Sequence, residues 1–153
     1  MDKKTIYQEL YIQIKALIED ELDLIANLSN ISSVLHYAFQ HHWTGFYLVK
    51  GQELVLGPFQ GPVACTRIAF GKGVCGKAWA EGKPLIVDNV HEFKGHIACS
   101  AFSNSEIVIP LISNNNVWGV LDIDSIEYAN FDAIDEEFLN SICSLIKKEP
   151  IHV

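Results

Sequence analysis

WTGFYLVKGQELVLG, residues Trp43 to Gly57, holds two short β-prone runs on either side of Lys50-Gly51-Gln52. Aromatic and β-branched runs interrupted by a glycine-bearing turn form a hairpin, so a sheet begins at Trp43. In the first run Trp43 and Tyr47 lie four apart and share a strand face, while Phe46 points to the other. Such an aromatic pair either packs in a core or walls a ligand pocket.

Upstream the texture is helical. Ile6, Leu10, Ile14, Leu17 and Ile18 recur at helical spacing among Lys, Glu and Gln, which predicts a helix from about Lys3 to Glu19. A second apolar series, Leu22, Ile25, Leu28, Ile31, Val34, Leu35 and Ala38, follows an acidic cluster suited to a helix N-terminus and ends near Phe39. His36, His41, His42 and His152 are read as exposed and without a role.

Downstream, Thr66 to Phe70, Leu85 to Val87, Glu106 to Ile112 and Val117 to Asp122 read as strands, the last two joined by Ser113-Asn114-Asn115-Asn116. A short helix is predicted over Val74 to Ala80. A last one starts at Asn130 or Asp132, with Ile134, Phe138, Ile142 and Leu145 as its apolar face. The result is an α+β fold: a six-stranded, mainly antiparallel sheet, terminal helices on one face and a loop-covered pocket on the other. The 153 residues suit a single domain spanning 1–153.

Composition narrows the function. Hydrophobic residues make up 49% and charged residues 20%, as in ordinary globular chains. A formal charge of −8 without a basic stripe argues against nucleic acid. The N-terminus has neither a secretory core nor a membrane span, so a cytoplasmic protein without membrane attachment is expected.

Of four cysteines, Cys99 is the sharpest candidate. It sits in the long loop Asp88 to Asn104, near His96, where a neighbouring cation would raise its thiolate fraction. A free cysteine is commonly just a small buried hydrophobe, but this polar setting favours reactivity. Cys65 and Cys75 flank a predicted strand near Arg67, Lys72 and Lys77, and Cys75 opens a helix whose N-terminus would favour a thiolate. For both, packing and a resolving role stand side by side. Cys143 is read as structural.

Glu106, Asp122 and Asp124 stand at the ends of apolar strands, and Asp122 and Asp124 share a face by the two-residue period. Strand-end acids usually solvate an edge; three beside the thiol loop point to a site where one keeps its proton or an ammonium is held. His91, His96 and Cys99, with Cys65 or Cys75, lack regular zinc spacing, so no metal is expected. The glycines of GKGVCG match no phosphate-binding pattern and are read as turn formers.

WTGFYL, ACTRIAFGKGVCG, VDNVHEFKGHIACSAFSNSEIVIPL and GVLDIDS together resemble the free methionine-(R)-sulfoxide reductases, a family of single GAF domains. The resemblance runs from about Trp43 to Phe138. It implies Cys99 as nucleophile, Cys65 and Cys75 as the resolving cysteines, and Glu106, Asp122 and Asp124 as the acids that bind and polarise the substrate. Trp43 and Tyr47 would be the aromatic wall. Ser100 and Ala101 stand where an acidic residue is common in the family. The implied chemistry is reduction of free methionine sulfoxide through a sulfenic acid and a disulfide. Thioredoxin is the implied reductant, with no cofactor, and a homodimer is left open. The competing readings are a non-catalytic GAF ligand sensor and a thiol-based redox or zinc sensor.

Overall fold

The computed structural model describes residues 1–97, 99 and 102–148; Ser100, Ala101 and His152 lie outside that set. Helices α1 (Lys3–Ile18) and α2 (Leu24–Phe39) precede strands β1 (Trp43–Lys50), β2 (Glu53–Gln60) and β3 (Arg67–Ala69). Helix α3 (Gly73–Glu81) leads to β4 (Leu85–Val87), a 3₁₀ turn at Val90–Glu92, β5 (Ser105–Ser113), β6 (Asn116–Ser125) and α4 (Ala133–Ser144). The sheet order is β3-β2-β1-β6-β5-β4, with every pairing antiparallel. No helix among the described residues is long and apolar enough to cross a membrane.

Strand alternation divides the core. Phe46, Ile107, Ile109, Leu121 and Ile123 face α1, α2 and α4. The opposite parity, Tyr47, Val108 and Val120 with Trp43, faces α3 and the loops. A one-residue slip would exchange these sets, so burial on both faces fixes the register.

The helices form as predicted but are turned slightly from the predicted faces. In α1 Tyr7, Leu10, Ile14 and Ile18 are buried, while Leu17 is 42% exposed. Leu22, 73% exposed, lies in the turn before α2, whose N-cap Asp23 accepts from the Ala26 amide at 2.9 Å. In α4 the buried set is Asp135, Leu139, Ile142 and Cys143 rather than one led by Ile134. The cause is polar. Tyr7 Oη donates to Asp135 Oδ1 at 2.6 Å, and Lys3 Nζ meets Asp135 Oδ2 at 2.7 Å. Asp132 and Asp135 also close a capping box. Asp135 is thus drawn inward, joining both chain ends.

The histidines before β1 are not exposed as expected. His36 Nδ1 hydrogen-bonds with Thr44 Oγ1 at 3.1 Å, and His41 lies 5.4 Å from both the Phe39 and Phe131 rings. Burial lowers the pKa of His41 to about 4.

Asp135→Ala is expected to cost about 2–4 kcal/mol in urea unfolding, because it strands a buried phenol and opens the cap; Tyr7→Phe should cost about 1–2 kcal/mol. An Asp135→Ala protein as stable as the wild type would show that the helices do not depend on this cluster.

Candidate active site

The register of three strands assembles the acids. Glu106 on β5 lies directly opposite Asp124 on β6, and Asp124 lies opposite Trp43 on β1. Asp122 is two residues back on the same face, between Val108 and Gly45. β6 runs to Ser125, beyond the predicted end at Asp122, which places Asp124 within the ladder. All three acids line one pocket, Glu106 and Asp122 each only 6% exposed.

No described lysine or arginine forms an ion pair with any of them. Burial, then the charges of Asp122 and Asp124, push the Glu106 carboxyl far up, and burial with the charge of Asp122 does the same to Asp124. Asp122 is also raised by burial, but hydrogen bonds with Glu106, Cys75 and Asp124 pull it back. Asp122 is therefore the member that ionises first, with Glu106 and Asp124 retaining protons beside it.

Cys99 is joined to Cys65 in a disulfide, with Cα atoms 5.4 Å apart across a sequence separation of 34. The β2–β3 loop carrying Cys65 is tied down by the pocket's own aromatic residues. Tyr47 Oη donates to the Cys65 carbonyl at 2.8 Å, and Trp43 Nε1 donates to the Pro62 carbonyl at 3.1 Å. Gly61, at φ +132°, lets this loop close over Trp43: a Cβ there would come within 2.8 Å of the indole.

The Cys99 loop is anchored on its other side. Val90 is fully buried, and its amide donates to the Asn104 carbonyl at 3.0 Å; the Asn104 amide donates to the Ser125 carbonyl at 2.8 Å. Ile97 rests against Gly73, where an added Cβ would lie 3.2 Å from the Ile97 side chain.

Two electrostatic expectations are overturned. Cys75 lies in the first turn of α3, yet burial and the charges of Asp122, Glu106 and Asp124 hold its thiol pKa well above the ordinary value. Desolvation and acids outweigh the helix terminus. His96 lines the pocket, but burial lowers its pKa, so it is no cation for Cys99 at neutral pH.

Trp43 and Tyr47 are buried, with rings 5.9 Å apart and 25° from parallel. Phe59 also stacks on Trp43 at 5.3 Å. The sequence reading missed Phe59: it ended the strand at Gly57, and the irregular register between Gly45 and Tyr47 that brings Phe59 opposite Gly45 leaves no pattern to find. Ser103 was missed as well; it is a buried pocket residue whose Oγ has no partner among the described residues. With the disulfide closed, the pocket encloses about 50 Å³.

Of the His91, His96 and Cys99 group, weighed in the sequence as metal ligands and set aside, His91 and Cys99 are engaged elsewhere. His91 Nε2 bonds Asn104 Oδ1 at 2.9 Å, and Cys65 and Cys99 are spent on each other. The donors that do converge are Cys75, Glu106 and Asp122, all within 4.8 Å of one another.

A six-stranded antiparallel sheet with helices on one face and a loop-roofed pocket on the other defines a GAF domain, and the GAF-domain family model matches residues 26–147. The free methionine-R-sulfoxide reductase of Escherichia coli is 44% identical over 97% of this chain and 90% of that protein. That of Saccharomyces cerevisiae is 42% identical over 97% and 87%. The structure of free methionine-R-sulfoxide reductase from Neisseria meningitidis in complex with its substrate is 49% identical, covers 95% of this chain and 89% of that one, and superposes with a TM-score of 0.94. The chain belongs to the free methionine-R-sulfoxide reductases.

The raised carboxyls carry a stability consequence. Each favours folding in its protonated form below its unfolded pKa, and that contribution is lost as pH rises through the folded pKa. Asp124→Asn removes one such group, so its melting temperature should exceed that of the wild type by a few degrees at pH 7.5, about 1–2 kcal/mol, with a smaller gap at pH 5. A gap that is absent, or that grows as pH falls, would show that Asp124 is not a neutral acid in the fold.

Proposed function

We propose that this chain, acting as one domain over residues 1–153, reduces free L-methionine-(R)-S-oxide to L-methionine in the cytoplasm by a thiol cycle recycled by thioredoxin. The observation that carries this reading is the pairing of Cys99 with Cys65 at a pocket lined by Glu106, Asp122, Asp124 and an aromatic wall. Enzymes of this class need a nucleophilic thiol and a proton donor on opposite sides of one sulfoxide. Cys99 and the raised carboxyls of Glu106 and Asp124 support that reading.

In the reduced protein the Cys99 thiolate attacks the sulfoxide sulfur. A protonated carboxyl, Glu106 or Asp124, donates to the oxygen as it leaves the substrate sulfur. The protonated oxygen passes to the Cys99 sulfur as the bond between the two sulfurs breaks, methionine departs and Cys99 is left as a sulfenic acid, so two electrons have passed from thiol to sulfoxide. The ionised Asp122, with a buried oxygen that meets no donor among the described residues outside its own cluster, is suited to the substrate ammonium, a group that a methionine inside a polypeptide lacks. Trp43 and Tyr47 take the apolar side of the substrate.

The Cys65 thiol then displaces water from the sulfenic acid to give the disulfide. We assign resolution to Cys65 rather than Cys75, because Cys75 is a free, buried thiol held protonated behind the acids. A thioredoxin-type dithiol reopens the disulfide by exchange, itself becoming oxidised. Tyr47 is a positioning residue for that closure as well as part of the wall, since its hydroxyl holds the Cys65 carbonyl.

These roles separate in an assay of NADPH consumption with thioredoxin and its reductase, using the resolved R and S sulfoxides. Cys99→Ser should lose all turnover; Cys65→Ser should release one methionine per chain and then stall with the sulfenic acid trappable by a dione. A fully active Cys99→Ser protein would end the proposal. Tyr47→Phe keeps the ring and should slow disulfide closure on the order of ten-fold, with KM little changed. Wild-type closure in that variant would remove Tyr47 from the positioning role.

A further inference from the structure

Cys75 is the one pocket thiol that the proposed cycle leaves unused. It is 4% exposed, and its sulfur converges with carboxylate oxygens of Glu106 and Asp122 within 4.8 Å. Zinc bonds of roughly 2.0–2.3 Å place neighbouring ligand atoms about 3.3–3.8 Å apart around a tetrahedral ion, so small side-chain rotations close this set on one ion. One sulfur and two oxygens suit zinc rather than magnesium or calcium, which take oxygen alone.

A second observation points the same way. Asp122 Oδ1 is buried and meets no hydrogen-bond donor among the described residues outside the cluster of Glu106, Cys75 and Asp124, in a side chain that lines the pocket. A buried carboxylate served only by the protons of its own cluster is costly once those protons leave, and a cation replaces them. The free space with the disulfide closed, about 50 Å³, is small for an amino acid and sufficient for an ion.

We propose that Cys75, Glu106 and Asp122 form a zinc site in the pocket wall, and that zinc bound there excludes the substrate and inhibits the enzyme. On binding, the ion displaces the protons held by Cys75 and Glu106 and takes three protein ligands, leaving a fourth position facing the pocket. No redox change accompanies this step. The inference rests on the reductase reading only for its inhibitory consequence; the site itself stands on geometry.

The test uses protein with the Cys65–Cys99 disulfide closed, which removes those thiols as ligands. Zinc chloride alone is titrated against a chromophoric chelator. One zinc per chain is expected, with affinity lowered at least about ten-fold in Cys75→Ala and in Asp122→Asn. As a readout that needs no variant, cobalt(II) should give a thiolate-to-metal charge-transfer band with the oxidised wild type. In turnover, zinc should raise KM for the sulfoxide and leave kcat unchanged. Absence of zinc from the oxidised protein, undiminished binding in Cys75→Ala, or binding confined to reduced protein and lost in Cys99→Ser would each overturn the site. A protein that binds zinc in this way but reduces no methionine sulfoxide would keep the site and remove the reductase reading instead.

Discussion

The grouping of three carboxyls side by side on one sheet face, Glu106 and Asp122 buried and Asp124 half-buried, is the constraint to which the rest of the pocket is fitted. Glu106 and Asp124 are cross-strand partners, and Asp122 shares their face. Three charges at this spacing repel strongly in a poorly solvated setting, so the fold accepts them only with protons or a cation among them. The cost is borne by apolar packing elsewhere. The opposite face of the same strands carries Ile107, Ile109, Leu121 and Ile123, each essentially inaccessible to solvent, against three helices. The strands that hold the acids are thereby rigid, as a proton donor aimed at a small substrate requires.

The pocket's aromatic wall and its thiol pair form one construction. Trp43 and Tyr47 present rings to the pocket and polar atoms to the loop that carries Cys65. In the proposed cycle, a ring that binds substrate and also holds the loop of the resolving thiol couples two stages through one side chain. The Cys99 loop is held independently, by Val90 and Asn104 at its ends. The two thiols therefore approach from separately anchored loops, and closing the bond between them changes the roof of the pocket more readily than its floor.

Much of this was legible before any coordinates. The hairpin from Trp43, the two-residue period placing Asp122 with Asp124, and the spacing of Leu10, Ile14 and Ile18 follow from local rules that act within a few residues. What was not legible depends on contacts between distant segments. Tyr7 replaces Leu17 in the core because Asp135, more than a hundred residues away, accepts its hydroxyl. His41 is half-buried because Phe131 arrives from the far end of the chain. The nearness of Cys75 to a helix N-terminus suggested a thiolate, whereas the acids that reverse that inference come from β5 and β6.

The same long-range proximity explains why two similar cysteines divide their parts. Cys65 and Cys75 both flank β3, and sequence offers little to choose between them. Cys65 sits on a loop held by hydrogen bonds from β1, within bonding reach of Cys99. Cys75 sits on a helix pressed against the sheet: a Cβ on its neighbour Gly76 would lie 2.8 Å from the Ala69 carbonyl. A loop can shift by the small distance that making and breaking a disulfide requires; a helix seated that closely cannot do so without disturbing β3. In the proposed cycle exchange with Cys99 therefore falls to the thiol on the loop, and the one on the helix remains with the acids, as their neutral neighbour or, in the proposed zinc site, as a ligand.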